Sequence, residues 1–183
     1  MLRGRRAERR EDRREERRGR DTVHYQMRQR LVSIGDDFWI ETDDGRRAYK
    51  VNGKALRLRK TLIFEDPDGR ELAKIRERVA RVRDSMEIED ADGNRIAMVK
   101  KALISPLRDR WAVTTADGPD LDVQGNILDH EYQITRGGIP VANISKRWFR
   151  VRDSYGVAVV GGQDDALVLA ITVCIDHLTS HDR

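Results

Sequence analysis

A chain of 183 residues that is 38% hydrophobic and 37% charged has room for one folded domain with a proper core and little more. Its formal net charge of +4 is concentrated: residues 1–21 hold ten Arg and six acidic residues, and the rest of the chain carries 26 basic and 26 acidic side chains. The basic excess belongs to an arm, which excludes reading the body as a nucleic-acid-binding fold on its isoelectric point alone, and a lone Cys174 excludes an intrachain disulfide framework and a cysteine-based zinc site.

The first predicted element is that arm, residues 1–22. It is built almost entirely of Arg, Glu and Asp and has no apolar stripe to dock on a core. Opposite charges three to four residues apart suit a solvated helix, and the composition equally suits disorder; in both readings the arm stays outside the fold. The plain reading is a solvating extension with weak attraction for anionic surfaces; nucleic acid, or a membrane, is the partner class that a specific arm would recruit through residues 1–21. Folded protein is expected over residues 23–183, and Met27 stands as an alternative start. The charged N-terminus has no apolar leader, which together with the single cysteine predicts a reducing, cytoplasmic setting.

Beyond the arm, turn dipeptides recur at a nearly even interval: Asp44-Gly45, Asp68-Gly69, Asp92-Gly93 and Asp117-Gly118. Asp-Gly favours the tight positive-φ turn that joins antiparallel strands, and two short strands fit each interval. Residues 61–65 and 71–76 flank the second turn, and residues 85–89 and 95–101 flank the third. Residues 131–135 and 139–145 flank Gly137-Gly138, a further hairpin turn. About a dozen strands result, too many for one open sheet without closure or splitting into two layers.

The rhythm breaks at Gly161-Gly162. Asp164 or Asp165 can then cap a helix, and residues 166–175 are apolar on every face apart from Thr172. A helix without a polar side must be enclosed all round, and the inside of a closed barrel is the simplest enclosure. Because the run is rich in β-branched residues, a buried strand is the competing reading. At ten residues it is about half of the roughly 20 that a membrane-spanning helix needs, so no transmembrane helix is expected.

The strings Ser33-Ile34-Gly35-Asp36-Asp37-Phe38 and Tyr49-Lys50-Val51-Asn52-Gly53-Lys54 resemble the opening of the LURP-one-related family. Leu128-Asp129-His130-Glu131-Tyr132, Ile144-Ser145-Lys146-Arg147-Trp148-Phe149 and Asp153-Ser154-Tyr155-Gly156-Val157 are similar to its second half, and residues 164–177 to its closing helix. The resemblance covers about residues 27–178. It implies a mainly β fold: a closed antiparallel barrel of about twelve strands around a C-terminal apolar α-helix, as in tubby-like domains and as proposed for phospholipid scramblases. For function it implies a non-enzymatic binding or scaffold module. The partner class it suggests is anionic phospholipid or phosphoinositide-like headgroups at the cytoplasmic membrane surface, with no cofactor and no catalytic residue carried over.

The residues themselves offer one candidate patch. Arg57, Arg59, Lys74, Arg76, Arg78, Lys100 and Lys101 recur at strand spacing, and period two points Lys74, Arg76 and Arg78 the same way. Such a cation ladder can hold phosphate oxygens; a solvated outer face that resists aggregation has the same composition. Asp129-His130-Glu131 raises a metal or acid–base reading, but alternation along a strand would turn His130 away from both acids, so a structural histidine is expected. The remaining histidines lack metal spacing. Trp39, Trp111 and Trp148, with Phe38 and Phe149, are expected to pack in the core or at its rim, and Cys174 to behave as a buried hydrophobe.

Overall fold

The structure is a computed structural model and describes residues 22–28, 37–53, 61–80, 83–101, 109–148 and 154–181. Within them run twelve strands: β1 (Val23–Arg28), β2 (Phe38–Thr42), β3 (Arg47–Asn52), β4 (Thr61–Glu65), β5 (Glu71–Ala80), β6 (Arg83–Asp90), β7 (Arg95–Lys101), β8 (Asp109–Thr115), β9 (Leu121–Asn126), β10 (Glu131–Arg136), β11 (Ile139–Ser145) and β12 (Ser154–Val159). A single 3₁₀ turn, Lys146–Trp148, follows β11, and one α-helix, α1 (Asp165–His181), follows β12. Each strand pairs antiparallel with its neighbours in sequence, and β12 pairs with β1, so the sheet closes into a barrel. Closure gives every described strand a neighbour on both sides.

Local chemistry sets the hairpins. Gly45, Gly69 and Gly93 sit at φ of 80°, 84° and 88°, a region open to glycine at no steric cost. Each of these turns follows a register shift in the strand before it, between Ile40 and Glu41, Phe64 and Glu65, and Ile88 and Glu89. In the second turn, Asp66 Oδ1 accepts the N–H groups of Asp68 at 3.0 Å and Arg70 at 2.8 Å. In the third, Asp90 Oδ1 accepts the N–H of Asn94 at 2.8 Å. These donors favour the charged carboxylate and hold both acids below the usual aspartate range, led by the Arg70 backbone for Asp66 and by the Asn94 side chain for Asp90. The fourth turn is built otherwise: Thr115 Oγ1 donates to the carbonyl of Gly118 at 2.8 Å.

The apolar run is a helix, which removes the buried-strand alternative. Asp164 is its N-cap, accepting the N–H of Leu167 on Oδ1 at 3.0 Å. Every residue from Val168 to Leu178 is buried, so the helix is covered on all sides. Leu169, Ile171, Val173 and Ile175 form one cluster with inward side chains of the wall, among them Met27, Ile40, Phe64, Ile75, Ile88 and Val113. Cys174 lies within that cluster, and burial pushes its thiol well above the usual range.

One expectation needs adjustment. β5 runs four residues further than 71–76, to Ala80, which keeps Arg78 in the ladder. The residues just before Met27 take part in the barrel: Val23 to Gln26 pair with Val159 to Gly156, and Tyr25 is a core residue whose hydroxyl donates to Asp165 Oδ2 at 2.5 Å. The arm itself lies outside the described residues.

Candidate functional site

Strand alternation decides where the predicted cations go. On β5, Ala73 and Ile75 face the core, so Lys74, Arg76 and Arg78 stand on the outer wall. Their neighbours on β6 in the same outward rows are acidic: Lys74 pairs in register with Glu89, and Arg76 with Glu87. Arg78 Nε lies 2.6 Å from Glu87 Oε2, Arg76 Nε 3.3 Å from Glu89 Oε2, and Arg95 Nε, from β7, 3.8 Å from Glu87 Oε1. Lys74 Nζ sits 2.9 Å from Glu71.

The exposures of these partners are unequal. The side chains of Glu87 and Glu89 are only 5% and 11% exposed, whereas Arg76, Arg78 and Arg95 are 50%, 63% and 57% exposed. The carboxylates form a floor beneath the guanidinium groups, which face outward from it. A planar guanidinium held in this way keeps further N–H donors for a second acceptor.

Lys100 also stands exposed beside this wall, in register with Ser85 of β6. Lys101 points the other way along the strand and sits at the rim, its ammonium 6.0 Å from the Trp111 ring centre. The seven predicted residues therefore do not form one set. Lys74, Arg76, Arg78 and Lys100 share the outer face, Lys101 does not, and Arg57 and Arg59 lie outside the described residues.

The described residues of the strings that carried the family resemblance are occupied with architecture; residues 33–36, 54, 149 and 153 of those strings lie outside the described residues. Phe38 and Val51 are in the core, and Lys50 lies 3.2 Å from Asp37 and 3.4 Å from Glu65. The Asp37 contact leads in raising the Lys50 ammonium above the usual lysine range. Glu131 Oε1 accepts the Ser145 hydroxyl at 2.9 Å and the Lys146 N–H at 3.2 Å, which anchors the 3₁₀ turn to the wall.

His130 differs from the expectation in its setting. It lies in the turn before β10, at φ 51°, and its buried ring stacks on Tyr155 with centres 4.2 Å apart. Neither sequence neighbour is its partner. Nδ1 instead lies 3.3 Å from Oδ1 of Asp176, on the helix, whose Oδ2 accepts the Tyr155 hydroxyl. Burial pushes the Asp176 carboxyl up, against the opposing pull of His130 and Tyr155; burial and the nearby Asp176 push up the Tyr155 and Tyr132 phenols. His177, also buried, adjoins this group on the helix. The arrangement locks the helix to the wall by polar contacts. Sequence reasoning missed it, although Asp176 and His177 ending a fully enclosed run were the available signal.

A second feature went unread. A groove of about 490 Å³ runs over the outer face of β9, β10 and β11, lined by Gln124, Gln133 and Asn143, with Trp148 and the Glu131–Arg147 pair at its side. The tryptophans divide accordingly: Trp111 is buried, Trp39 is partly covered with the Arg47 guanidinium 4.6 Å from its ring centre, and Trp148 is 42% exposed. Phe149 lies outside the described residues.

Comparison with known proteins gives consistent findings. The family model for LURP-one-related proteins matches residues 23–176. YxjI of Bacillus subtilis (strain 168), an uncharacterised protein, is 24% identical over 157 residues, covering 86% of this chain and 94% of its own. A solved structure of a protein from Arabidopsis thaliana has a TM-score of 0.64 at 17% identity, covering 88% of this chain and 92% of that one. At that identity the likeness concerns the fold alone.

Proposed function

The chain belongs to the LURP-one-related family, and on that premise we propose that it is a non-enzymatic binding module whose outer wall engages an anionic partner, with phospholipid headgroups at a membrane surface as the ligand class. The observation that carries this reading is the layering of β5 to β7, in which Arg76, Arg78 and Arg95 overlie two nearly buried carboxylates. Lys74, Arg76, Arg78, Arg95 and Lys100 outnumber Glu71, Glu87 and Glu89 on that wall, which supports a local positive excess on a body that is neutral overall. Arginines already tethered to a carboxylate lose less side-chain freedom when they take up a phosphate oxygen, so the floor of acids prepares the wall for the ligand. No helix among the described residues is long and apolar enough to cross a membrane, and the contact proposed is a peripheral one.

The test is co-sedimentation with phosphatidylcholine vesicles with and without phosphatidylserine. The full chain should bind only the anionic vesicles, and binding should weaken as salt is raised. Lys74→Gln, Arg76→Gln and Arg78→Gln together should lower the affinity about tenfold or more, on the scale of about 1 kcal/mol per cation near an anionic surface. A chain lacking residues 1–21 should retain most of the binding. If binding disappears with the arm and is indifferent to the three substitutions, the wall reading fails and the anion-binding activity, nucleic acid included, belongs to the arm.

A further inference from the structure

The groove over β9, β10 and β11 has a chemistry opposite to that of the basic wall, from which β8 separates it. Register places Gln133 directly beside Gln124 on one side and Asn143 on the other, so three carboxamides from adjacent strands stand in one outward row. Gln124 and Gln133 are exposed and Asn143 half-buried. None of the three is hydrogen-bonded to another described residue through its side chain, although each carries two N–H donors and a carbonyl acceptor. The ionised groups at the side offset one another: Arg147 Nε lies 3.8 Å from Glu131.

Trp148 supplies the apolar component. It sits on the 3₁₀ turn that Glu131 anchors, and the His24 ring meets it nearly perpendicularly, at 82° with centres 5.6 Å apart. The indole is thereby held in place while 42% of the residue remains exposed beside the groove. Gly125, also in the lining, lets β9 and β10 approach closely: at φ 142° a β-carbon there would fall 2.5 Å from the Glu131 carbonyl and 2.6 Å from the Tyr132 α-carbon.

From this juxtaposition we propose that the groove is a binding site for a neutral saccharide. A pyranose ring presents hydroxyls that both donate and accept, which matches a row of carboxamides, and a face of C–H groups, which matches an exposed indole. The one cation of the lining, Arg147, is offset by Glu131, so the groove has no net charge that selects a phosphate-bearing ligand, in contrast to the excess of cations on the basic wall. Arg110 of β8 stands beside Gln124 at the end of the row. An extended peptide bound by main-chain pairing would need a free strand edge, and each described strand already has a neighbour on both sides. The site is independent of the basic wall, so either reading can fail without the other.

The experiment is titration of the full chain with cellohexaose, maltohexaose and the hexamer of N-acetylglucosamine, followed by tryptophan fluorescence and by calorimetry. At least one of the three should bind saturably, and Trp148→Ala and Gln133→Ala should each lower its affinity about tenfold or more, as loss of a central anchor does. Both positions are on the outer surface, so the variants should melt with the parent chain, and Lys74→Gln should leave saccharide affinity unchanged. Absence of binding by all three at about 10 mM, a concentration that detects even weak sites, overturns the proposal. Binding that survives both substitutions overturns it equally.

Discussion

Asp176 is a carboxyl group enclosed by protein, with His130, Tyr155 and Tyr132 as its polar surroundings. Because burial raises its folded-state pKa above the ordinary value of 3.8, the native state holds this proton more tightly than the unfolded chain does. Stability from this group is therefore complete below the ordinary carboxylate range and is lost as pH rises toward the raised value. Asp176→Asn keeps the shape and removes the titration. Measured by urea denaturation from pH 4 upward, the variant should gain on the parent chain by at most about 1.4 kcal/mol per pH unit until the raised pKa is passed, and then by nothing more. A constant difference across that range would mean that Asp176 is ionised in the native state throughout. None of these partnerships was legible in the sequence. His130 belongs to a turn, where strand alternation does not set its direction, and a contact between residues 130 and 176 depends on where the helix comes to rest.

At the scale of elements, the helix was legible because its composition leaves no alternative location: eleven consecutive buried residues, Val168 to Leu178, cannot be accommodated on a surface. What the β-branched content left open was strand against helix, and Asp164 decides locally by satisfying the first turn. The helix is also the filling of the barrel, since inward residues of the wall pack on it from strands far apart in sequence. Removing residues 164–183 should therefore abolish cooperative unfolding in calorimetry and leave a chain that binds hydrophobic dyes. A shortened monomer that melts as sharply as the whole chain would show that the wall is stable without its filling. The hairpins were equally legible, since Asp-Gly at an even spacing needs only local geometry. The groove was not, because Gln124, Gln133 and Asn143 belong to three strands and become a row only through register.

The whole molecule is a ring of pairings in which each strand but one is joined to a neighbour made just before it. The exception is the seam between β1 and β12, and it sets the minimal folded chain. A chain beginning at Thr22 should melt within a degree or two of the full-length protein, whereas one beginning at Met27 loses Val23 to Gln26 of that seam, together with the buried Tyr25, and should be strongly destabilised or unfolded. Equal melting of the two would mean that the seam contributes nothing. Fold class was readable at this scale because twelve short strands and one enclosed helix have few arrangements. Charge was not: a neutral sum over the body says nothing of how Glu87 and Glu89 are layered under arginines on one wall.

The seam also orders events in time. As the chain leaves the ribosome, the first strand has one flank satisfied by the second and must wait for more than a hundred further residues before its other neighbour exists. The greasy plug that all the inward side chains await is made later still. Throughout that interval the nascent wall is an open, unfilled sheet with two raw margins, the species most prone to sticking to its neighbours. Exposure to aggregation during synthesis is thus set by the position of its last two elements, whatever its stability once closed.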